Sequence, residues 1–440
     1  MTFLIEQSNE QLTSHAGLVF MGQLLGASGL SDRLNQTAIG ASGTPDISNG
    51  DVALSYLGLL SQAQSDFDHI EVYREDKVFK KLMGIGHVPS SPTLRQRLEV
   101  APTQWNDVIQ EHAIDLLHKR QVHVTPCWQD HVAVDLDVAP FDNSNSRKEG
   151  VSRTYKGVDG YAPMLGYLGG HEGFCLNVEL REGKAHSQNG TPLFLRETIQ
   201  RAKQVTRRPL MIRLDSGNDA RDNVEVCWDE QCDFIIKRNL RREDPATYLD
   251  LVQQDPDHKK WSPRSGKTVY TGQVDHTKNP DQPLRMVCQV TVRTSDPNGQ
   301  MLLEPTVETE AWWVSIKTDP DTVIDLYHQH ATMEQFHSEF KTDLDLERLP
   351  SGKFEVNDLV LSLSMLTFNC LRLIGQASLQ ADDNPLRKTV KRRRIATVIK
   401  HLITVPCRLV NHARRWRLRL GCHAPFFQTF KRLYLTFEPS

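Results

Sequence analysis

Three acidic positions and one helical stripe carry the residue types that could do chemistry in this chain of 440 residues. Asp135 and Asp137 lie two apart in the alternating run HVAVDLDVAP (His131–Pro140). Successive side chains of a strand point to opposite faces, so both carboxylates face one way, about 7 Å apart, while Val134 and Leu136 take the other face. Two acids in an apolar strand are costly to bury without a partner. Asp215 ends a second apolar run, PLMIRLDSGND (Pro209–Asp219), at a glycine turn. Taken alone it reads as a turn-forming aspartate. The stretch YHQHATMEQFHSEFK (Tyr327–Lys341) has a helical period. At about 100° per residue, Tyr327, His330, Glu334 and Lys341 fall within roughly 60° of one another, with Met333, Phe336 and Phe340 on another face. A lone polar stripe is as readily a solvated face, so it gains chemical meaning only from acids that meet it. Three converging carboxylates without a competing thiolate suit Mg²⁺, a hard ion that prefers oxygen, with Mn²⁺ as a substitute. A pair of such ions can activate a water or a 3′-hydroxyl and stabilise the departing oxygen, which is in-line phosphoryl transfer on nucleic acid.

The elements around these residues suggest how they meet. Residues 1–125 read as helical, through runs such as DVALSYLGLLSQ and WNDVIQEHAIDLLHKRQ. In VPSSPTLRQRL (Val88–Leu98), Ser91 is the expected N-cap and Pro92 the first helical residue. Arg95 and Arg97 follow, on either a DNA-recognition helix or a plain bundle helix. The pattern changes near Pro126. HVAVDLDVAP, GYAPMLGYLGG and GFCLNVELREG read as three strands, and TPLFLRETIQRAKQV (Thr191–Val205) as a helix capped by Thr191. PLMIRLDSGND and CDFIIKR (Cys232–Arg238) add two more strands. Three antiparallel strands, a crossover helix and a parallel strand make the ribonuclease-H-like plan, an α/β fold. In that plan Asp215 lies beside Asp137, and Glu334 points in from a helix packed alongside. The expected domains are a helical N-terminal DNA-binding region (1–125), the first part of the core (126–239), a β-rich insertion (240–315), the second part of the core with the catalytic helix (316–380), and a basic helical C-terminal region (381–440).

The net charge of −3 hides an asymmetry. From Arg387 and Lys388 through Arg392, Arg393 and Arg394 to Arg419, the segment Arg387–Leu420 holds no acid, and apolar residues are interleaved at what reads as helical spacing. A run of one sign points to a polyanionic partner. The most apolar stretch, Leu359–Gly375, is interrupted by Ser362, Ser364, Asn369 and Arg372, which fits a buried helix better than a membrane span. The start, MTFLIEQSNEQ, lacks the basic and apolar regions of a signal peptide. The eight cysteines form no CxxC pair and no Cys/His set with zinc spacing, so free thiols in a reducing cytoplasm are expected.

With these residues in view, the chain resembles a DDE-type bacterial insertion-sequence transposase, and most nearly the group named after insertion sequence 1380. That superfamily carries Tyr-x2-Arg-x3-Glu-x6-Lys on its last catalytic helix. Tyr327, His330, Glu334 and Lys341 stand at this spacing, with His330 in place of the arginine. EQFHSEFKTDLDLERLPSGKF (Glu334–Phe354) and KEGVSRTYKGVDGYAPMLGYL (Lys148–Leu168) also resemble the group's core blocks. The resemblance implies a Mg²⁺-dependent cut-and-paste recombinase acting on double-stranded DNA, at terminal inverted repeats and at a target. It implies a homodimer or larger synaptic assembly, associated with the nucleoid, and a β-rich insertion between the second Asp and the Glu. It names Asp137, Asp215 and Glu334 as the triad. The superfamily's first Asp is commonly followed by a small residue and Thr, which Asp137-Val138-Ala139 lacks, so Asp135 stands as an alternative first acid. Tyr327 and Lys341 would hold the phosphate backbone, Lys341 as a point charge. A histidine cannot grip a phosphate bidentately as Arg does, so either another residue supplies that contact or His330 has a different role. Trp312 and Trp313, adjacent on a strand of the insertion, face opposite ways. One of them would receive a base flipped from the cleaved DNA end, and the other would be core. A catalytically inactive relative and a free-standing nuclease are the alternatives.

Overall fold

Helices dominate the first part of the chain, where the apolar period is helical. The computed structural model describes residues 1–37, 45–101, 104–383, 385 and 390–438. Arg387 and Lys388 of the basic run lie outside them. A short strand β1 (Gln11–Thr13) precedes α1 (Leu18–Gly26), α2 (Leu30–Gln36), α3 (Asn49–Leu60), α4 (Lys77–Met83), α5 (Ser91–Glu99) and α6 (Gln104–Lys119). Ser90, not Ser91, caps α5: its hydroxyl accepts from the Thr93 N–H at 3.3 Å. The register is one residue off the expectation because the Ser91 hydroxyl is taken by the Asp68 carboxylate. Pro92 still sits in the first turn, where its missing N–H has no partner to lose.

The part of the chain after α6 is built on one mixed sheet of nine strands. Strands β2 (Val132–Val138), β6 (Met164–Leu168) and β7 (Phe174–Glu179) run antiparallel in sequence. Between β2 and β6 the chain forms a small sheet of β3 (Phe141–Asp142), β4 (Ser152–Arg153) and β5 (Asp159–Tyr161). Helix α7 (Thr191–Val205) then crosses over to β8 (Leu210–Leu214), which pairs parallel with β2 on its free edge. Its N-cap is Gly190 at φ 71°, with Thr191 inside the helix rather than capping it. After α8 (Arg221–Asp229), β9 (Asp233–Lys237) adds parallel to β8.

The insertion does not stand apart from this sheet. It comprises α9 (Thr247–Gln253), β10 (Lys259–Arg264), β11 (Lys267–Asp275), β12 (Arg285–Ser295) and β13 (Met301–Val314). Trp312–Val314, the end of β13, pairs antiparallel with β9, so the order runs β10-β11-β12-β13-β9-β8-β2-β6-β7. The chain then returns through α10 (Pro320–His328) and α11 (Met333–Ser338) to α12 (Phe354–Ala377).

Helix α12 has the length and mean hydropathy (1.4) of a membrane span, yet 94% of its apolar window is buried between α6 and β7. Most of its polar interruptions are satisfied internally, as buried polar groups generally are. Ser364 and Thr367 donate to the carbonyls of Val360 and Leu363, and Asn369 bonds both backbone groups of Cys175 at 2.8 and 2.9 Å.

The C-terminal region departs from the helical expectation. After α13 (Ile395–Val398) the chain forms a hairpin of β14 (Cys407–His412) and β15 (Arg415–Leu420), joined edge-on by β1, and ends in α14 (Phe427–Phe437). The physical reason lies in RWRLRL: arginines and apolar residues alternate with period two, the signature of a half-buried strand, not of a helix. All eight cysteines are free thiols.

Candidate active site

The parallel register of β2 and β8 decides what each aspartate does. Asp135 stands opposite Arg213 and Leu136 opposite Leu214, which sets Asp137 beside Asp215, just past the end of β8. Arg213 forks both Asp135 oxygens, Nε and Nη2 donating at 2.6 and 2.6 Å, and its third nitrogen donates to the Leu326 carbonyl at 2.6 Å. His330 Nδ1 donates to the same carboxylate at 2.9 Å. Burial alone would raise Asp135, but Arg213 and His330 take it below its ordinary value. Asp135, the alternative first acid, is therefore engaged in an internal ion pair. Arg213 was missed from the sequence although a basic residue in an apolar strand, two before Asp215, was a usable signal.

Asp137 has the opposite surroundings. It accepts only the N–H of Val138, at 2.7 Å, and no cation is bonded to it among the described residues. Burial and the neighbouring Asp215 charge push it up to about 7. Asp215 is oriented by the N–H of Gly217 at 3.1 Å and the amide of Asn218 at 2.7 Å. Two hard oxygen donors are thus held side by side with like-charge repulsion unrelieved, the donor chemistry that a divalent cation satisfies.

The polar stripe arrives on a helical run of changing pitch. Beyond α10 come a 3₁₀ turn (Gln329–Thr332), α11 and a π turn (Glu339–Asp343). The tight and wide turns keep Tyr327, His330, Glu334 and Lys341 on one wall, while Met333, Phe336 and Phe340 are buried behind it. The stripe, Asp137 and Asp215 line one cleft of about 590 Å³, together with Tyr155 and Lys156 of the β4–β5 loop. Glu334 is exposed on the wall facing the two aspartates, and among the described residues no three acids or other ligands stand close enough to hold an ion. Asp137 and Asp215 stand side by side, and Glu334 lines the same cleft from its helical wall. Burial lowers the Lys341 ammonium, which lies 5.7 Å above the Phe141 ring. Tyr327 stacks on His330 with centroids 5.6 Å apart, and burial raises its phenol well above the ordinary value.

Other expected contacts fall elsewhere. Arg392 bonds Glu339, which is 1% exposed and also takes Arg372 at 2.6 Å. Arg394 pairs with Asp343 at 2.8 Å, and buried Arg393 lies 5.6 Å over the Phe426 ring. Two of the triplet expected on DNA, Arg392 and Arg394, latch the C-terminal segment to the π turn through its two buried acids, Glu339 and Asp343. Arg95 pairs with Asp68 at 2.9 Å and stacks on Phe67, and Arg97 bonds the Ile47 carbonyl and Asn49, so both cross-link the helical region. Trp312 shares the face of Asp135 by register but is wholly buried, 5.7 Å from Tyr327, which closes it to a flipped base. Trp313 faces the other side of the sheet, in a separate cleft of about 400 Å³ with Trp228 and His276.

No curated protein sequence matches the chain. A cryo-EM structure described as a piggyBac transposase synaptic complex with hairpin DNA aligns over 98% of this chain and 83% of its own, at 11% identity and a TM-score of 0.38, a likeness too slight to bear on the fold. The profile of the family described as transposase DDE domain group 1 matches residues 3–439. The chain belongs to that family and is a DDE transposase, an enzyme that acts on DNA.

Proposed function

We propose that this transposase cleaves double-stranded DNA at the terminal inverted repeats of an insertion sequence and joins the freed ends to a target, on a ribonuclease-H-like core. The observation that carries the reading is the Asp137–Asp215 pair, set side by side by strand register and left without a bonded cation. Glu334, on the opposite wall of the same cleft, is the third acid. These three carboxylates would hold Mg²⁺, or Mn²⁺ in its place, and the bound metal supplies activation of the attacking oxygen and stabilisation of the leaving one. Lys341 and Lys156 present ammonium groups to a phosphate backbone entering the cleft. Arg213 and His330 act through Asp135: they fix the strand end and the wall of the cleft relative to each other. Membership of the insertion sequence 1380 group, a dimeric or larger synaptic complex and a cytoplasmic setting belong to the same proposal.

The test is a plasmid carrying the inverted repeats that flank the gene, a target plasmid and Mg²⁺. Asp137→Ala, Asp215→Ala and Glu334→Ala each abolish end cleavage while end binding persists, since the acids serve the chemical step and basic groups the binding. Cleavage without joining would make the protein a nuclease. Full activity of Glu334→Ala would remove the third acid from the scheme.

A further inference from the structure

We propose that the β14–β15 hairpin is a duplex-docking ribbon, whose outward face grips DNA phosphates through Arg408, Arg415, Arg417 and Arg419. The proposal rests on the transposase reading above. Strand pairing sets Arg408 opposite Arg419, Val410 opposite Arg417 and His412 opposite Arg415, so one face collects four arginines and a histidine, all exposed. Ala413 and Arg414 close the hairpin at φ 51° and 61°, the left-handed pair of a tight two-residue turn, with Arg414 exposed at the tip.

The other face fixes the direction in which this one looks. Cys407 and Leu409 are buried, Leu418 and Leu420 pack on the main core, and β1 covers the free edge of β14. The ribbon is therefore held against the helical region with its arginines outward. Like charges directly opposite on neighbouring strands destabilise a sheet. Among the described residues the one carboxylate paired to this face is Glu10, 2.8 Å from Arg408. Between Asp383 and Glu438 the chain offers no acid at all. A fixed row of this kind, with Arg415, Arg417 and Arg419 paired to no acid among the described residues, is complementary to a regular polyanion.

Size agrees with charge. Six residues of strand span about 20 Å, so the arginine face is long enough to follow several phosphates of a duplex backbone. The basic run thus divides by partner: Arg392 and Arg394 go to acids of the catalytic helix, and the arginines of the hairpin go outward.

The experiment uses the full chain and a duplex of arbitrary sequence, with affinity measured by fluorescence anisotropy over a salt series. R415Q/R417Q/R419Q should flatten the plot of log affinity against log salt by about 2.7, from about 0.9 per lost phosphate contact, a loss of several hundred-fold at about 0.1 M salt. R415K/R417K/R419K should keep the wild-type slope, because each ammonium still releases a counterion. An unchanged slope in the glutamine variant overturns the proposal, as does an equal loss in the lysine variant, which would mean the guanidiniums serve folding. Binding to anionic phosphatidylserine vesicles that falls in the glutamine variant while its duplex slope stays intact would assign the face to a lipid surface and also overturn it. Failure of the wild-type chain to cleave repeat-bearing DNA would instead strike the transposase reading, which this slope does not measure.

Discussion

Replacing Asp137 by Asn should stabilise the metal-free protein, whereas the same change two residues earlier should destabilise it. The folded state holds Asp137 at about 7 against an ordinary value of 3.8, through burial and the Asp215 charge. A carboxyl with a raised folded value binds its proton more tightly when folded. Its cost is absent below the unfolded value, grows as pH rises from about 4 to 7, and is complete above that. Roughly three units at 1.36 kcal/mol each put the cost near 4 kcal/mol at pH 8. Asn keeps the shape and removes the charge, so Asp137→Asn should gain about 2–4 kcal/mol there, a few degrees of Tm in a chain of this size. At pH 5 the gain should shrink to less than half. Asp135→Asn leaves Arg213 buried without its counter-charge, which costs about 3–5 kcal/mol. The assay is thermal melting at pH 8 and pH 5 with a chelator, repeated with Mg²⁺. The ion should raise the wild-type Tm and do less for Asp137→Asn. Equal destabilisation by the two variants at pH 8 would refute the division of labour between these aspartates.

Three further outcomes follow from side chains already described. His112 is buried with neither ring nitrogen bonded, and burial lowers it from 6.5 to about 4. Its stabilising contribution is complete above about 6.5 and is lost as pH falls toward 4, up to about 3 kcal/mol. His112→Gln should therefore narrow the gap between urea midpoints at pH 7 and pH 4.5, and an unchanged gap would place acid lability elsewhere. Arg392→Ala leaves the buried Glu339 with Arg372 alone and should cost about 3–5 kcal/mol in urea unfolding, whereas a change under 0.5 kcal/mol would show the latch to be slack. Trp312→Ala should cost about 3–5 kcal/mol and Trp313→Ala less than half of that, and the reverse order in calorimetry would mean the faces of β13 are exchanged.

What the sequence made legible was local and periodic. The alternation in His131–Pro140, the crossover helix and Asp215 at a strand end sufficed to place two carboxylates together, because side-chain direction in a strand depends only on parity. The assignment between Asp135 and Asp137 was not legible, since it turns on which residue of β8 lies opposite, and register is a property of pairs of strands. The hairpin was misread for a related reason. Over Arg415–Leu420 six residues contain too few turns to separate a period of two from one of 3.6 when the whole segment is basic, and the alternation was the better guide. The latch was hidden because Glu339 and Asp343 lie 53 and 51 residues from the arginines they hold.

The attachment of the insertion gives it a mechanical role. β13 runs for 14 residues, and it is bonded to the core sheet only near its end, through Trp312–Val314 on β9 and the Ala311 carbonyl, which accepts from the Arg238 N–H. At about 3.4 Å per residue the part beyond β9 extends roughly 34 Å, paired with β12 in a sheet that packs on α9 and α10. At its root is Trp312, against which Tyr327 of the cleft wall rests. A displacement of the insertion's sheet is therefore felt at Tyr327, in the wall of the cleft that holds Asp137 and Asp215.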